Sequence, residues 1–445
     1  MKRKWLFRVT LFVINVLLFM QAAAAVPLSS PMNYAFGAKE SADILLNDTE
    51  RVAVLDMQTQ DLLYTCQAED IFHPVGGVVT LMTALVVWEN TQPEDVVNIG
   101  DVTSVSKNDV KIGLKQGANH SVLDLTAAML LYGAKDAALS LAMHVGGSEA
   151  DFIVLMNAKA KALGMENTTY VNVSGKYDER QNTTALDTLQ LANAVANTPQ
   201  ILELLHTVQY NAQSRSLQNK IKNRVTMIDP TSGAYDKRIQ GLVIGETQAT
   251  GFHALLIAQF QGRVLLADVC FDVANDYEQR IRKLLDTAFD EFGPMDLADI
   301  ANKLAESLEV HVGGEKIPVK AELHADAQGL MGNLEAAQQI GESEFSLVPS
   351  GLPDKVKAGE IVCTAALMYR QREIGTVDLI AQIDSVQQET QETVAQVKVL
   401  LSHEDKEALG HRSVYDRYGA LLWSIAVCAI GAAILLLGRL ISRKR

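Results

Sequence analysis

A chain of 445 residues, 48% apolar and 21% charged, has room for two domains and a globular composition that excludes intrinsic disorder. Its net charge of −14 leaves nothing to form a phosphate-binding stripe, so no nucleic-acid partner is expected. Cys66, Cys270, Cys363 and Cys428 stand far apart without metal-ligand spacing, so no metal and no cofactor is expected; a Cys66 to Cys270 bridge across a sheet is possible in principle, and free buried thiols are favoured.

In chain order, Lys2, Arg3, Lys4 and Arg8 precede an apolar run from Val9 to Met20 and small residues at Ala22 to Ala25. This pattern predicts a secretory signal peptide over 1–25 and a body that works outside the cytoplasm. Arg51 to Asp56 and Leu62 to Cys66, around a polar turn, predict a hairpin. Pro74, Gly76 and Gly77 then lead into an apolar stretch ending at Glu89, which predicts a buried helix over 77–89. Val122 to Leu131 is a second apolar helix. Leu139 to Val145 and Phe152 to Leu163 are helices capped by Gly146, Gly147 and Gly164, with His144 read as a packed helix residue. Ile239 to Phe252 reads as a strand, Phe252 to Phe260 and Val264 to Phe271 as a hairpin around Gln261 and Gly262, and Arg280 to Phe292 as a helix. From about Leu297, short alternating runs separated by Gly and Pro predict a small β-sandwich over 297–385. A Gln/Glu-rich amphipathic helix and a charged segment form a linker over 386–418. Gly419 to Gly438 carries no charge, which predicts a transmembrane helix over 419–438; Arg439, Arg443, Lys444 and Arg445 place the tail, 439–445, in the cytoplasm.

Several of these segments together resemble one family. Met82-Thr83-Ala84-Leu85-Val86 is similar to the active-site helix of the serine D-alanyl-D-alanine carboxypeptidases, the low-molecular-mass penicillin-binding proteins, whose pattern is Pro-Ala-Ser-x-x-Lys-x-Met-Thr-Ala-Leu-Val. Longer gap-free matches follow at 142–148 and 155–168, and 356–362 resembles the family's second domain. The resemblance covers roughly 45 to 385. It implies an α+β fold: a β-lactamase/penicillin-binding-protein-like domain over 45–293, with an antiparallel sheet flanked by helices, then the β-rich domain over 297–385 that holds it off the membrane.

Aligned this way, Gly77 stands where the family has its nucleophilic serine and Thr80 where it has its lysine base. A serine and a lysine three residues apart share one helix face, so a neutral amine there takes the hydroxyl proton as the oxygen attacks a carbonyl. Glycine cannot be acylated, and a threonine hydroxyl is no amine base. Asp136, Ala137 and Ala138 place Gly133 at the serine and Lys135 at the asparagine of the Ser-x-Asn motif, with Lys135 expected to be a loop lysine facing solvent. Val243, Ile244 and Gly245 replace Lys-Thr-Gly, leaving no charge or hydroxyl to bind a substrate carboxylate. The only Ser-x-x-Lys in the sequence, Ser104 to Lys107, has no apolar helix behind it. The expectation is a non-catalytic homologue at the outer membrane face that binds peptidoglycan peptides or a cell-envelope protein. The alternative is a hydrolase working through Thr80 or Lys135.

Overall fold

Alternation along the central strands sets the architecture, because each strand offers an apolar row to both sides of its sheet. A computed structural model describes residues 32–384, apart from 40–48, 75, 215–219, 249, 326, 335 and 337–343. The main sheet takes up β1 (Asn33–Lys39), β2 (Arg51–Asp56), β3 (Asp61–Cys66), β4 (Ile239–Thr247), β5 (Gly251–Phe260), β6 (Arg263–Phe271) and β7 (Phe292–Pro294). After β8 (Val319–Leu323), which starts a second sheet, β9 (Met331–Asn333) returns to the first. The order is β7-β9-β1-β3-β2-β6-β5-β4. The expected antiparallel sheet is in fact mixed, because β1 pairs in parallel with both β3 and β9, while the remaining pairs are antiparallel.

Leu255 and Ile257 of β5 face a core shared with the helical layer, and Ala254, Leu256 and Ala258 face a second core on the other side of the sheet. The helical layer contains α1 (Gly77–Asn90), α2 (Val122–Ala127), α3 (Lys135–Gly146), α4 (Glu149–Ala162), α5 (Ala185–Ala196) and α6 (Pro199–Leu205). Every residue of α1 from Val78 to Val87 is buried, and the helix lies against α3, α4, α5, β4 and β5. A helix apolar all round belongs in the middle of a domain, where burial and not propensity stabilises it. Helix α7 (Tyr277–Glu291) covers the opposite face with Ile281, Leu284, Leu285, Ala288 and Phe289. The hairpin β5–β6 turns on Gln261 and Gly262 at φ 49° and 83°, the left-handed pair that matches strand twist.

Beyond β7 the chain forms α8 (Leu297–Ser307), capped by the Asp296 carboxylate, which accepts hydrogen bonds from the Ala298 and Asp299 N–H groups. This helix is absent from the sequence reading of the region. It packs on a four-stranded antiparallel sheet of order β8-β12-β11-β10, where β10 is Phe345–Pro349, β11 is Ile361–Tyr369 and β12 is Arg372–Ala381. A hairpin of Val310–Val312 and Glu315–Ile317 shares that core. Arg372 Nη1 donates to Asp61 Oδ1 over 2.9 Å and Tyr369 Oη donates to the Ala35 carbonyl over 3.3 Å, so the C-terminal sheet is tied to β3 and β1. Among the described residues no single helix is long and apolar enough to cross a membrane. The signal peptide, the 386–418 linker, the 419–438 span and the 439–445 tail lie outside the described residues.

Candidate functional site

The site is built where the N-terminus of α1 meets β4. The lead-in is tethered from both sides: Phe72 bridges Thr183, His73 Nδ1 lies 2.9 Å from the Gln181 carbonyl oxygen, and Gln181 Nε2 donates to the Pro74 carbonyl over 3.0 Å. Gly76, at φ 61°, then donates its N–H to the Gly175 carbonyl over 2.9 Å. Glycine is required here for room as well as conformation. A Cβ on Gly175 would lie 2.4 Å from Gly76 N, one on Gly76 would lie 2.5 Å from Gly245 Cα, and one on Gly77 would lie 2.7 Å from Val243 Cβ and 3.0 Å from Ile244 O. Carbon contacts normally begin near 3.5 Å, so α1, β4 and the loop at 175 touch main chain to main chain.

Gly77, three residues before Thr80 on α1, meets Val243 and Ile244 of β4, and this contact is filled by packing. Val243 is buried toward α1, in the space between the helix and β4, whereas Ile244 faces the opposite core. Gly245 continues the ladder opposite His253. Thr80 is 4% exposed, and its hydroxyl donates to the Gly77 carbonyl over 2.9 Å, so its proton is committed one turn back. Gly133 is left-handed at φ 79° and caps the π-helical turn Ala128–Tyr132 that continues α2; any side chain there would be strained.

Two expectations are corrected by the geometry. Lys135 is no solvent-facing loop lysine: it begins α3 and its Nζ pairs with Asp109 Oδ1 at 2.7 Å, both side chains being about four-fifths buried. Burial alone would raise the Asp109 carboxyl, and the hydrogen bond and charge of Lys135 outweigh it and hold the group below the usual range. His144, expected to be packed, is exposed in the last turn of α3, where a basic group complements the carbonyl end of the helix. Asp136 carries a role the sequence reading did not assign. Its buried carboxylate accepts hydrogen bonds from the N–H groups of Ile112, Gly113 and Leu114, fixing that loop against the start of α3.

Beside α3 and α4 a cavity of about 500 Å³ opens to solvent, lined in part by Ser104, Asp109, Lys135, Asn172, Ser174 and Lys176. Of the motif positions only Lys135 reaches it. Ser104 to Lys107 is an exposed turn at its rim, which disposes of that Ser-x-x-Lys as a helix-borne catalytic pair. Cys66 and Cys270 lie on strands on opposite sides of β2, in register with Val52 and Arg51, and no disulfide joins them.

Comparison with known proteins places this geometry. The D-alanyl-D-alanine carboxypeptidase DacD of Salmonella typhimurium is 26% identical over 301 residues, 61% of this chain and 75% of that protein. The D-alanyl-D-alanine endopeptidase of Escherichia coli is 26% identical over 319 residues, 69% of this chain and 97% of that protein. Among solved structures, penicillin binding protein 6B from Escherichia coli matches with a TM-score of 0.54 and 18% identity over 80% of this chain and 98% of that one. A peptidoglycan synthesis regulatory factor (PBP3) from Streptococcus pneumoniae matches with a TM-score of 0.53 and 19% identity over 75% and 98%. At such identities these two likenesses establish the fold. The sequence profile of one family matches residues 39–275, more than half of the chain, and the chain therefore belongs to the D-alanyl-D-alanine carboxypeptidase family.

Proposed function

We propose that this protein is a non-catalytic member of its family, anchored in the membrane with its body outside the cytoplasm, where it binds peptidoglycan peptides or a cell-envelope protein. The observation that carries this reading is the contact of α1 with β4. Where a nucleophile, an amine base and a carboxylate anchor would converge stand Gly77, a self-bonded Thr80 and a buried Val243. The secretory segment over 1–25 and the span over 419–438 supply the topology, and the C-terminal sheet, joined to the main body through β9, spaces that body from the bilayer. The Lys135–Asp109 cavity, with Lys176 and Asn172 on its wall, offers both charges and amide groups to a short peptide and is the seat we assign to one.

A hydrolase working through Thr80 or Lys135 is less well supported, since the first donates to its own helix and the second is neutralised by Asp109. The decisive experiment treats the full-length chain in detergent with a fluorescent penicillin and, separately, measures D-alanine release from a pentapeptide. Neither a covalent band nor release above background is expected, while Lys135→Ala is expected to weaken pentapeptide binding roughly tenfold, as loss of one charge-assisted contact does. Turnover that Thr80→Ala abolishes would overturn the non-catalytic reading.

A further inference from the structure

Within the core, apart from the family's motif positions, strands β5 and β6 carry a second set of reactive side chains. Cys270 sits directly opposite His253 in the ladder, and Asp268 precedes it by two residues, so all three project from one face of the sheet. They are 7%, 3% and 0% exposed. One ligand atom from each lies within 4.8 Å of the other two. His253 Nε2 is 2.7 Å from Asp268 Oδ2, and Cys270 Sγ is 3.9 Å from Oδ1, so the carboxylate spans the gap between ring and thiol. The Thr188 hydroxyl, from α5, donates to Oδ2 over 2.6 Å and fixes the carboxylate from the far side.

We propose that His253, Asp268 and Cys270 form a binding site for a divalent transition metal of the zinc class, with Thr188 orienting the carboxylate. The donor set is mixed nitrogen, oxygen and sulfur, which suits zinc and not calcium or magnesium, whose shells are oxygen. Zinc bonds of about 2.0 Å to nitrogen and oxygen at a tetrahedral angle put those atoms roughly 3.3 Å apart, so the ring and carboxylate have to separate by only about 0.6 Å. Charge also balances. A carboxylate, a thiolate and a neutral imidazole around a divalent ion sum to zero, the arrangement a water-free core tolerates best. The ring's other nitrogen, His253 Nδ1, is buried with no hydrogen-bond partner among the described residues, so the imidazole's hydrogen bond is the one through Nε2 that the ion would take over. Burial and the Asp268 charge push the Cys270 thiol well above its usual range, against the pull of Arg51 across the ladder. Binding exchanges the thiol proton, released to solvent, for a metal–sulfur bond, with no change of oxidation state.

The position gives the ion a structural task. His253 pairs with Gly245 of β4 and meets Phe72 edge-on at 4.9 Å between ring centres, so an ion there would pin β5 to β6 beside β4 and the lead-in of α1. This follows from the cluster itself and stands whether or not the protein is catalytic.

The test uses the full-length chain, purified in detergent and equilibrated with zinc alone or cobalt(II) alone. Expected are about one zinc retained per chain after desalting, a thiolate-to-cobalt charge-transfer band, and a thermal midpoint that falls on chelation and recovers with zinc. Cys270→Ser should lower bound zinc at least tenfold and abolish the band, whereas Cys66→Ser, whose thiol lies outside the cluster, should leave both unchanged. Zinc well below one per chain, or a cobalt band that survives in Cys270→Ser, overturns the proposal. If Cys270→Ser fails to fold, the native chain decides: absence of the band, or its loss in Cys66→Ser or Cys363→Ser, overturns it equally.

Discussion

Gly77→Ser, the substitution that would restore a nucleophile, is expected to damage the fold and to return no activity. The new Cβ would sit 2.7 Å from Val243 Cβ and 3.0 Å from Ile244 O. Neither neighbour is the far end of a flexible chain: one is the root of a β-branched residue in a ladder, the other is main chain. Relief therefore means moving α1 away from β4, along a helix whose next ten residues are buried. Overpacking of this kind costs about 1–3 kcal/mol, and replacing glycine at a helix start returns only about 0.5 kcal/mol. A net loss of roughly 2 kcal/mol lowers the melting midpoint by about 4–8 °C for a body of this size class. Differential scanning calorimetry should show that fall. Gly233→Ser, where a Cβ meets nothing within 4 Å, should shift the midpoint by less than about 1–2 °C. In a Val243→Gly background the penalty of Gly77→Ser should shrink by roughly 1 kcal/mol or more, because the clashing atom is gone. An unchanged midpoint for Gly77→Ser, or penicillin labelling of that variant, would refute the argument that the site is filled.

Other outcomes test separate parts of the structure. Burial of Asp61 outweighs the hydrogen bonds from the Met331 N–H and Thr59 and the Arg372 charge, and pushes its carboxyl up to about 6. A raised acid holds its proton more tightly folded than unfolded, so stability should fall as pH rises from about 4 to 6, by about 3 kcal/mol; Asp61→Asn should flatten that slope in denaturant titrations. Gln261→Asn should stabilise by about 0.5–1 kcal/mol in the same assay, since asparagine tolerates the left-handed turn at φ 49° better than glutamine does. For topology, protease added to cells with a permeabilised outer layer should remove the body and spare the 419–438 segment, and a fully protected body would contradict the proposed anchor.

Much of the helical and hairpin layout was legible because it rests on local signals. Pro74 and the glycines fix where α1 begins, Gly147 and Gly164 terminate α3 and α4 in left-handed conformations, and Gln261 with Gly262 marks the hairpin. Pro318, which lacks an N–H, separates the strands Glu315–Ile317 and Val319–Leu323. Helix α8 was missed although its signals were present: Asp296 before it, then buried Leu297, Ile300, Ala301 and Ala305 at helical spacing. The residue types at the motif positions could be read from the sequence alone. The closure of the cleft could not, because it depends on Gly175, nearly one hundred positions from Gly76, arriving at main-chain contact. The partners of Lys135 and Asp61 were hidden for the same reason, and so was the His253, Asp268 and Cys270 set, which only the β5–β6 register brings together.

The placement of β9 bears on how the chain folds. Residues 331–333 lie between β7 and β1, so the first strand described finds one of its two neighbours only after some three hundred residues have followed it. Until then β1 presents an open backbone edge, the kind that recruits strands from other chains. A chain folding as it emerges would carry that edge through most of its length. Contacts so distant in sequence also slow the final docking step. Truncation anywhere before 331 leaves the same defect permanently, so fragments ending near 293 are expected to aggregate even where their helical core is intact.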